Sequence, residues 1–100
     1  MIIVITISFI VINLGNWNKL EKKHCWFEKL DGSYTTVEAA KLACSADPKC
    51  TAVYDQGCDA GANDIYLCGA VPNGYTTSAR SCIYEKPKGT FILYILDNHL

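Results

Sequence analysis

Thr35-Thr36-Val37-Glu38-Ala39-Ala40-Lys41-Leu42-Ala43-Cys44-Ser45-Ala46-Asp47-Pro48 decides the fold, because it writes one helix between a start signal and a forced stop. Thr35 and Glu38 have capping-box spacing: the threonine hydroxyl accepts from the Glu38 amide while the glutamate reaches back to the Thr35 amide. Good helix formers follow. Pro48 then forces Asp47 out of helical geometry, so the helix runs for about three turns. Val37, Ala40 and Cys44 fall at i, i+3 and i+7, which places Cys44 on the buried face.

On either side of the helix the sequence reads as strand. His24-Cys25-Trp26-Phe27-Glu28-Lys29-Leu30 is rich in aromatics and predicts a first strand, closed by the turn signal Asp31-Gly32-Ser33. Cys50-Thr51-Ala52-Val53-Tyr54, Asp64-Ile65-Tyr66-Leu67-Cys68 and Ser81-Cys82-Ile83-Tyr84-Glu85-Lys86 predict three more, separated by Asp55-Gln56-Gly57 and Pro72-Asn73-Gly74. The expected class is α+β: one helix packed on an antiparallel sheet of about four to five strands. Trp26, Phe27, Val53, Ile65, Leu67 and Ile83 are the expected core that holds helix to sheet, with disulfides compensating for its thinness.

Six cysteines, at 25, 44, 50, 58, 68 and 82, all follow an uncharged apolar leader. An even count in a small domain implies full pairing in an oxidising compartment, although spacing alone chooses no connectivity. Residues 1–15 have the length of a signal-peptide apolar region; Asn13, Asn16 and Asn18 interrupt the run well before the roughly 20 residues that a spanning helix needs, so no stable membrane span is expected once the leader is removed. The β-branched richness of the leader also permits a strand. Residues 16–23 read as a solvated linker, 24–87 as the domain, and 88–100 as an apolar tail of unassigned role. A net charge of −1 carries no nucleic-acid footprint.

From Cys25 to Lys86 the chain resembles the PAN/apple domains. The resemblance lies in the order of the helix Thr-x-x-Glu-Ala-Ala-Lys-x-x-Cys, the link Asp-Pro-Lys-Cys, the strands Thr-Ala-Val-Tyr and Ile-Tyr-Leu-Cys, and the closing Ser-Cys-Ile-Tyr-Glu-Lys. By position it implies the bridges Cys44–Cys68, Cys50–Cys58 and Cys25–Cys82. It also implies a secreted, non-enzymatic module that binds extracellular proteins or carbohydrates and needs no cofactor.

Rival chemistries find little support in the residues. No C-x-x-C spacing accompanies His24, and neither His24 nor His99 sits in a recognisable base motif, so a zinc or nucleophile site is not expected. Asp55, Asp59, Asn63 and Asp64 surround Cys58 with oxygen ligands of the type that suits calcium, but their spacing is not that of an EF-hand and they read as an acidic turn; no metal is expected. Tyr54, Tyr66, Tyr75 and Tyr84 are the candidate ligand-binding residues, on a sheet face left open by the helix. The alternative to a binding module is a free-standing secreted effector, toxin-like or protease-inhibiting, whose reactive loop would be residues 71–80.

Overall fold

The elements run β1 (Val4–Asn13), β2 (Asn18–His24), a 3₁₀ turn (Trp26–Glu28), α1 (Val37–Ala46), β3 (Ala52–Asp55), β4 (Ile65–Cys68), β5 (Thr76–Glu85) and β6 (Thr90–His99). They come from a computed structural model that describes residues 4–13, 16–61, 64–88 and 90–99, with side chains for 16–61 and 64–88. β2, β5, β3 and β4 form one antiparallel sheet in that order, while β1 and β6 pair with each other from Val4↔His99 to Asn13↔Thr90. The expected class is observed: one helix, a four-stranded antiparallel sheet and three disulfides.

The helix ends where Pro48 dictates, with Asp47 extended. Its start lies one residue later than the capping box suggests. Tyr34 donates its amide to Ile65 O at 2.8 Å, which keeps the chain extended alongside β4, so Thr36 becomes the cap and its Oγ1 accepts from the Ala39 amide at 3.1 Å. Glu38 faces Lys41 instead, at 3.8 Å. Val37, Ala40 and Cys44 are buried, as the i, i+3, i+7 pattern requires, against Val53, Ile65 and Leu67.

Strand alternation then sorts every other side chain. Ile65 and Leu67 face the helix, so Tyr66 and Cys68 face away, where they join Cys25, Ala52, Tyr54 and Ile83 in a second cluster. The far face is therefore a second core rather than an open surface, and all four residues of β3 are buried. Trp26 and Phe27, expected in the core, are 44% and 81% exposed. They lie in the 3₁₀ turn, not in a strand, because Cys25 is pinned to Cys68 and Glu28 donates its amide back to Cys25 O at 2.9 Å.

Two segments without hydrophobic alternation are nonetheless strand. The stretch read as linker is β2, whose charged residues pair with β5, with a bulge at Lys22 (φ 58°). β5 begins at Thr76, and Thr76 and Thr77 pair with His24 and Lys23, so that part of residues 71–80 lies in the sheet. β1 covers most of the leader and β6 most of the apolar tail.

The cysteine pairing implied by the resemblance is corrected at all three bridges, which are Cys25–Cys68, Cys44–Cys50 and Cys58–Cys82. Cys44 and Cys68 lie on opposite faces of the sheet, which forbids their union. Cys50 instead returns beneath the last helical turn: its amide donates to Asp47 O at 3.0 Å, and the Cys44 and Cys50 Cα atoms are 5.1 Å apart. Cys58 follows β3 directly, and Cys82 stands opposite Asp55 in the neighbouring strand, so their Cα atoms come within 5.2 Å.

Lys86 closes the helix side. From the end of β5 its ammonium donates to Cys44 O at 2.8 Å, Asp47 O at 3.1 Å and Cys50 O at 3.3 Å; Cys44 O and Asp47 O also accept the Asp47 and Cys50 amides, so the ammonium adds a charged donor to the last helical turn and the turn that follows it. Burial holds its pKa below the ordinary lysine value, with Asp47 opposing that shift.

Candidate binding surface

β2 stops at His24, whose Nδ1 accepts the Trp26 amide at 3.1 Å, and the turn that follows swings two aromatic rings out over the rim of the far-face cluster. Lys29 lies beneath them. Its ammonium stands 3.2 Å from the Trp26 ring centroid and 4.3 Å from that of Tyr66, a double cation–π contact that fixes both rings. Trp26 meets Tyr66 edge-on at 6.0 Å, Tyr66 meets Tyr54 at 5.6 Å, and His24 lies 6.2 Å from Tyr54 and 6.3 Å from Phe27. His24, Trp26, Phe27, Tyr54 and Gln56 line a shallow cleft of about 320 Å³.

This arrangement offers flat apolar rings for stacking, edged by the imidazole of His24 and the amide of Gln56 as hydrogen-bonding groups. Such a surface suits the apolar face of a sugar ring or an aliphatic or aromatic side chain of a protein.

The four tyrosines singled out from the sequence do not form one site. Tyr54 and Tyr66 meet at the rim, but Tyr54 is only 3% exposed, and burial raises its phenol pKa. Tyr75 packs against the same far-face cluster, away from the rim; its hydroxyl donates to Glu85 at 3.4 Å. Burial, reinforced by the Glu85 charge, pushes its pKa up to about 12. Tyr84 lies on the opposite face, against the helix, with Lys41 4.9 Å and Lys19 5.8 Å from its ring. Trp26, Phe27 and Lys29 were missed as surface residues because an aromatic run was read as a buried strand. Two adjacent bulky aromatics cannot both face one side of a strand, and that was the available signal.

No family model, curated protein or solved structure matches the chain.

A larger cleft, of about 720 Å³, opens at the other end of β2 and is lined by Asn18, Thr51, Tyr75, Glu85 and Lys86 among others. Two of its charged groups are already engaged: Glu85 accepts from Asn18 at 2.9 Å and from Tyr75, and the Lys86 ammonium is taken by three carbonyls. The aromatic rim, by contrast, has rings without a covering partner.

Beyond Gln56 lies the acidic turn. Asp55 is fully buried, and its Oδ2 accepts the Ala60 amide at 2.8 Å. Burial holds its carboxyl pKa above the ordinary value; the Ala60 hydrogen bond opposes that shift, and the charges of Asp59 and Asp64 add to it. Asn63 falls outside the described residues, as does the His99 side chain. Among the described residues no helix is long and apolar enough to cross a membrane.

Proposed function

We propose that this chain is an extracellular, disulfide-stapled binding module of PAN/apple type that recognises a protein or a carbohydrate through the rim formed by Trp26, Phe27, Tyr66 and Lys29. One observation carries the reading: Phe27 is 81% and Trp26 44% exposed on a turn pinned by Cys25–Cys68, so large rings are held rigid outside the core. An exposed aromatic contributes little to stability and much to contact area with a partner. Three disulfides in a small domain are compatible with an extracellular location. The PAN/apple assignment rests on the order of helix and strands, since the bridges do not follow that family's nested pattern.

Secretion with loss of the leader is compatible with this architecture, because β1 pairs only with β6 and its departure leaves the four-stranded sheet whole. Screening the oxidised protein and its Trp26→Ala variant against immobilised glycans and extracellular proteins tests the proposal. A ligand bound by the parent protein and released by the substitution supports it; a ligand indifferent to Trp26 and Phe27 removes the rim from the account.

A further inference from the structure

The turn that follows β3 gathers three carboxylates with no cation to balance them. One carboxylate oxygen from each of Asp55, Asp59 and Asp64 lies within 4.8 Å of the other two. Asp59 and Asp64 converge over Gly57, where a Cβ would stand 2.8 Å from Asp64 Oδ2 and 3.0 Å from Asp59 Oδ2, so a larger residue there would push the two carboxylates aside. Among the described residues no lysine or arginine forms an ion pair with them; Arg80 lines the adjacent cleft with Asp64 but makes no such contact.

Clustering alone would describe a solvated turn, but burial rules that description out. Asp55 has 0% of its surface exposed, and while its Oδ2 is taken by the Ala60 amide, its Oδ1 is buried without a hydrogen-bond partner among the described residues, as is Asp64 Oδ1. A buried carboxylate oxygen left without a donor or counter-charge is destabilising, and two further carboxylates alongside add to that. Cys58 is bridged to Cys82, and the Gln56 amide is held by Asp64 O at 3.0 Å.

We propose that Asp55, Asp59 and Asp64 form a calcium site. Three anionic oxygen donors match a hard divalent cation, and oxygens within 4.8 Å of one another fit around one ion with bonds of roughly 2.3–2.6 Å. Calcium rather than magnesium suits the site, because three carboxylates from an irregular turn do not supply near-ideal octahedral geometry, and calcium tolerates such irregularity. Bound calcium would tie β3, the turn and the start of β4 together and stiffen the strand end that carries Tyr54 and Gln56 beside the aromatic cleft. The site stands independently of what the rim recognises.

The test is a titration of the oxidised, full-length protein with CaCl2 after chelation, followed by calorimetry and by thermal unfolding, with MgCl2 at matched ionic strength in parallel. Calcium should bind one to one with a dissociation constant in the range of roughly 10⁻⁴–10⁻³ M that extracellular modules show, and raise the unfolding temperature saturably. Magnesium should bind at least about tenfold more weakly. Asp55→Asn should lower calcium affinity by at least about tenfold and, by removing a buried charge, make the calcium-free protein more stable rather than less. Asp59→Asn, at an exposed position that leaves folding undisturbed, should weaken calcium binding in the same direction. No binding at about 10 mM calcium, an equal response to magnesium, or calcium binding that Asp59→Asn leaves unchanged would each overturn the site.

Discussion

Replacing Lys86 with Met keeps the aliphatic stem and removes the ammonium that joins β5 to the end of the helix. Its three acceptors, Cys44 O, Asp47 O and Cys50 O, lie at 2.8, 3.1 and 3.3 Å, and two of them belong to the bridged residues Cys44 and Cys50. Hydrogen bonds to a charged group are worth about 1.5–3 kcal/mol net, and a cation at a helix C-terminus adds about 0.3–1 kcal/mol. Against this stands desolvation of the ammonium, which outweighs the attraction of Asp47 and holds the Lys86 pKa below the ordinary value. The balance for Lys86→Met is a loss of about 2 kcal/mol, equivalent to a fall of roughly 8–16 °C in unfolding temperature for a domain of this size. Urea unfolding of the oxidised protein measures it as a lower midpoint at unchanged slope. A loss under about 0.5 kcal/mol, the range of an ordinary surface substitution, would refute the claim that this ammonium secures the helix end.

Three further outcomes follow from the same structure. Peptide mapping without reduction should recover Cys44 joined to Cys50, Cys25 to Cys68 and Cys58 to Cys82; a peptide joining Cys44 to Cys68 would restore the nested pattern and require the two faces of β4 to exchange. The Tyr75 phenol is held up to about 12, so its contribution to stability is complete below about pH 10 and is lost as the pH rises through 12. Discounted for partial exposure this amounts to about 1–2 kcal/mol, and Tyr75→Phe should flatten that alkaline limb; an unchanged limb would contradict the burial of the hydroxyl. If the leader is removed on export as proposed, N-terminal sequencing of the mature chain should begin at Asn16 or Trp17, because Trp17 packs against the helix-side core with Lys41 5.6 Å from its ring. A chain beginning at Met1 would mean that β1 stays paired with β6.

Helix and central strands were legible because local chemistry and tertiary packing agree there. Pro48 ends α1 whatever surrounds it, and Ile65 and Leu67 alternate as a strand on a helix must. β2 and the start of β5 were not legible: Lys19, Glu21 and Lys23 on one and Thr76 and Thr77 on the other carry no hydrophobic period, and they become strand through pairing of β2 with β5, Lys19 with Tyr84, Glu21 with Cys82 and Lys23 with Thr77. The cysteine partners depended on which face each sulfur takes. Alternation along β4 already set Cys68 opposite to Ile65 and Leu67, and hence away from Cys44, whereas the return of Cys50 beneath the helix depends on the turn at Pro48 and Lys49. At the rim, the aromatic character of Cys25-Trp26-Phe27 was visible but its exposure was not, since a 3₁₀ turn replaces the strand once Cys25 is tied to Cys68. Lys29 and Lys86 gave no local signal; Lys29 meets Tyr66 as well as nearby Trp26, and Lys86 reaches carbonyls around the helix end, contacts that depend on residues distant in sequence.

The central claim is that the rim of Trp26, Phe27, Tyr66 and Lys29 is where this module binds. The most direct measurement is the affinity of the ligand found by array screening for the parent protein, Trp26→Ala and Phe27→Ala, with Tyr84→Phe on the opposite face as control. Loss of at least about tenfold in affinity for each rim variant, with unfolding temperatures within the range of surface substitutions and the control unchanged, is the expected result. Full affinity in both rim variants would contradict it and place recognition elsewhere on the molecule.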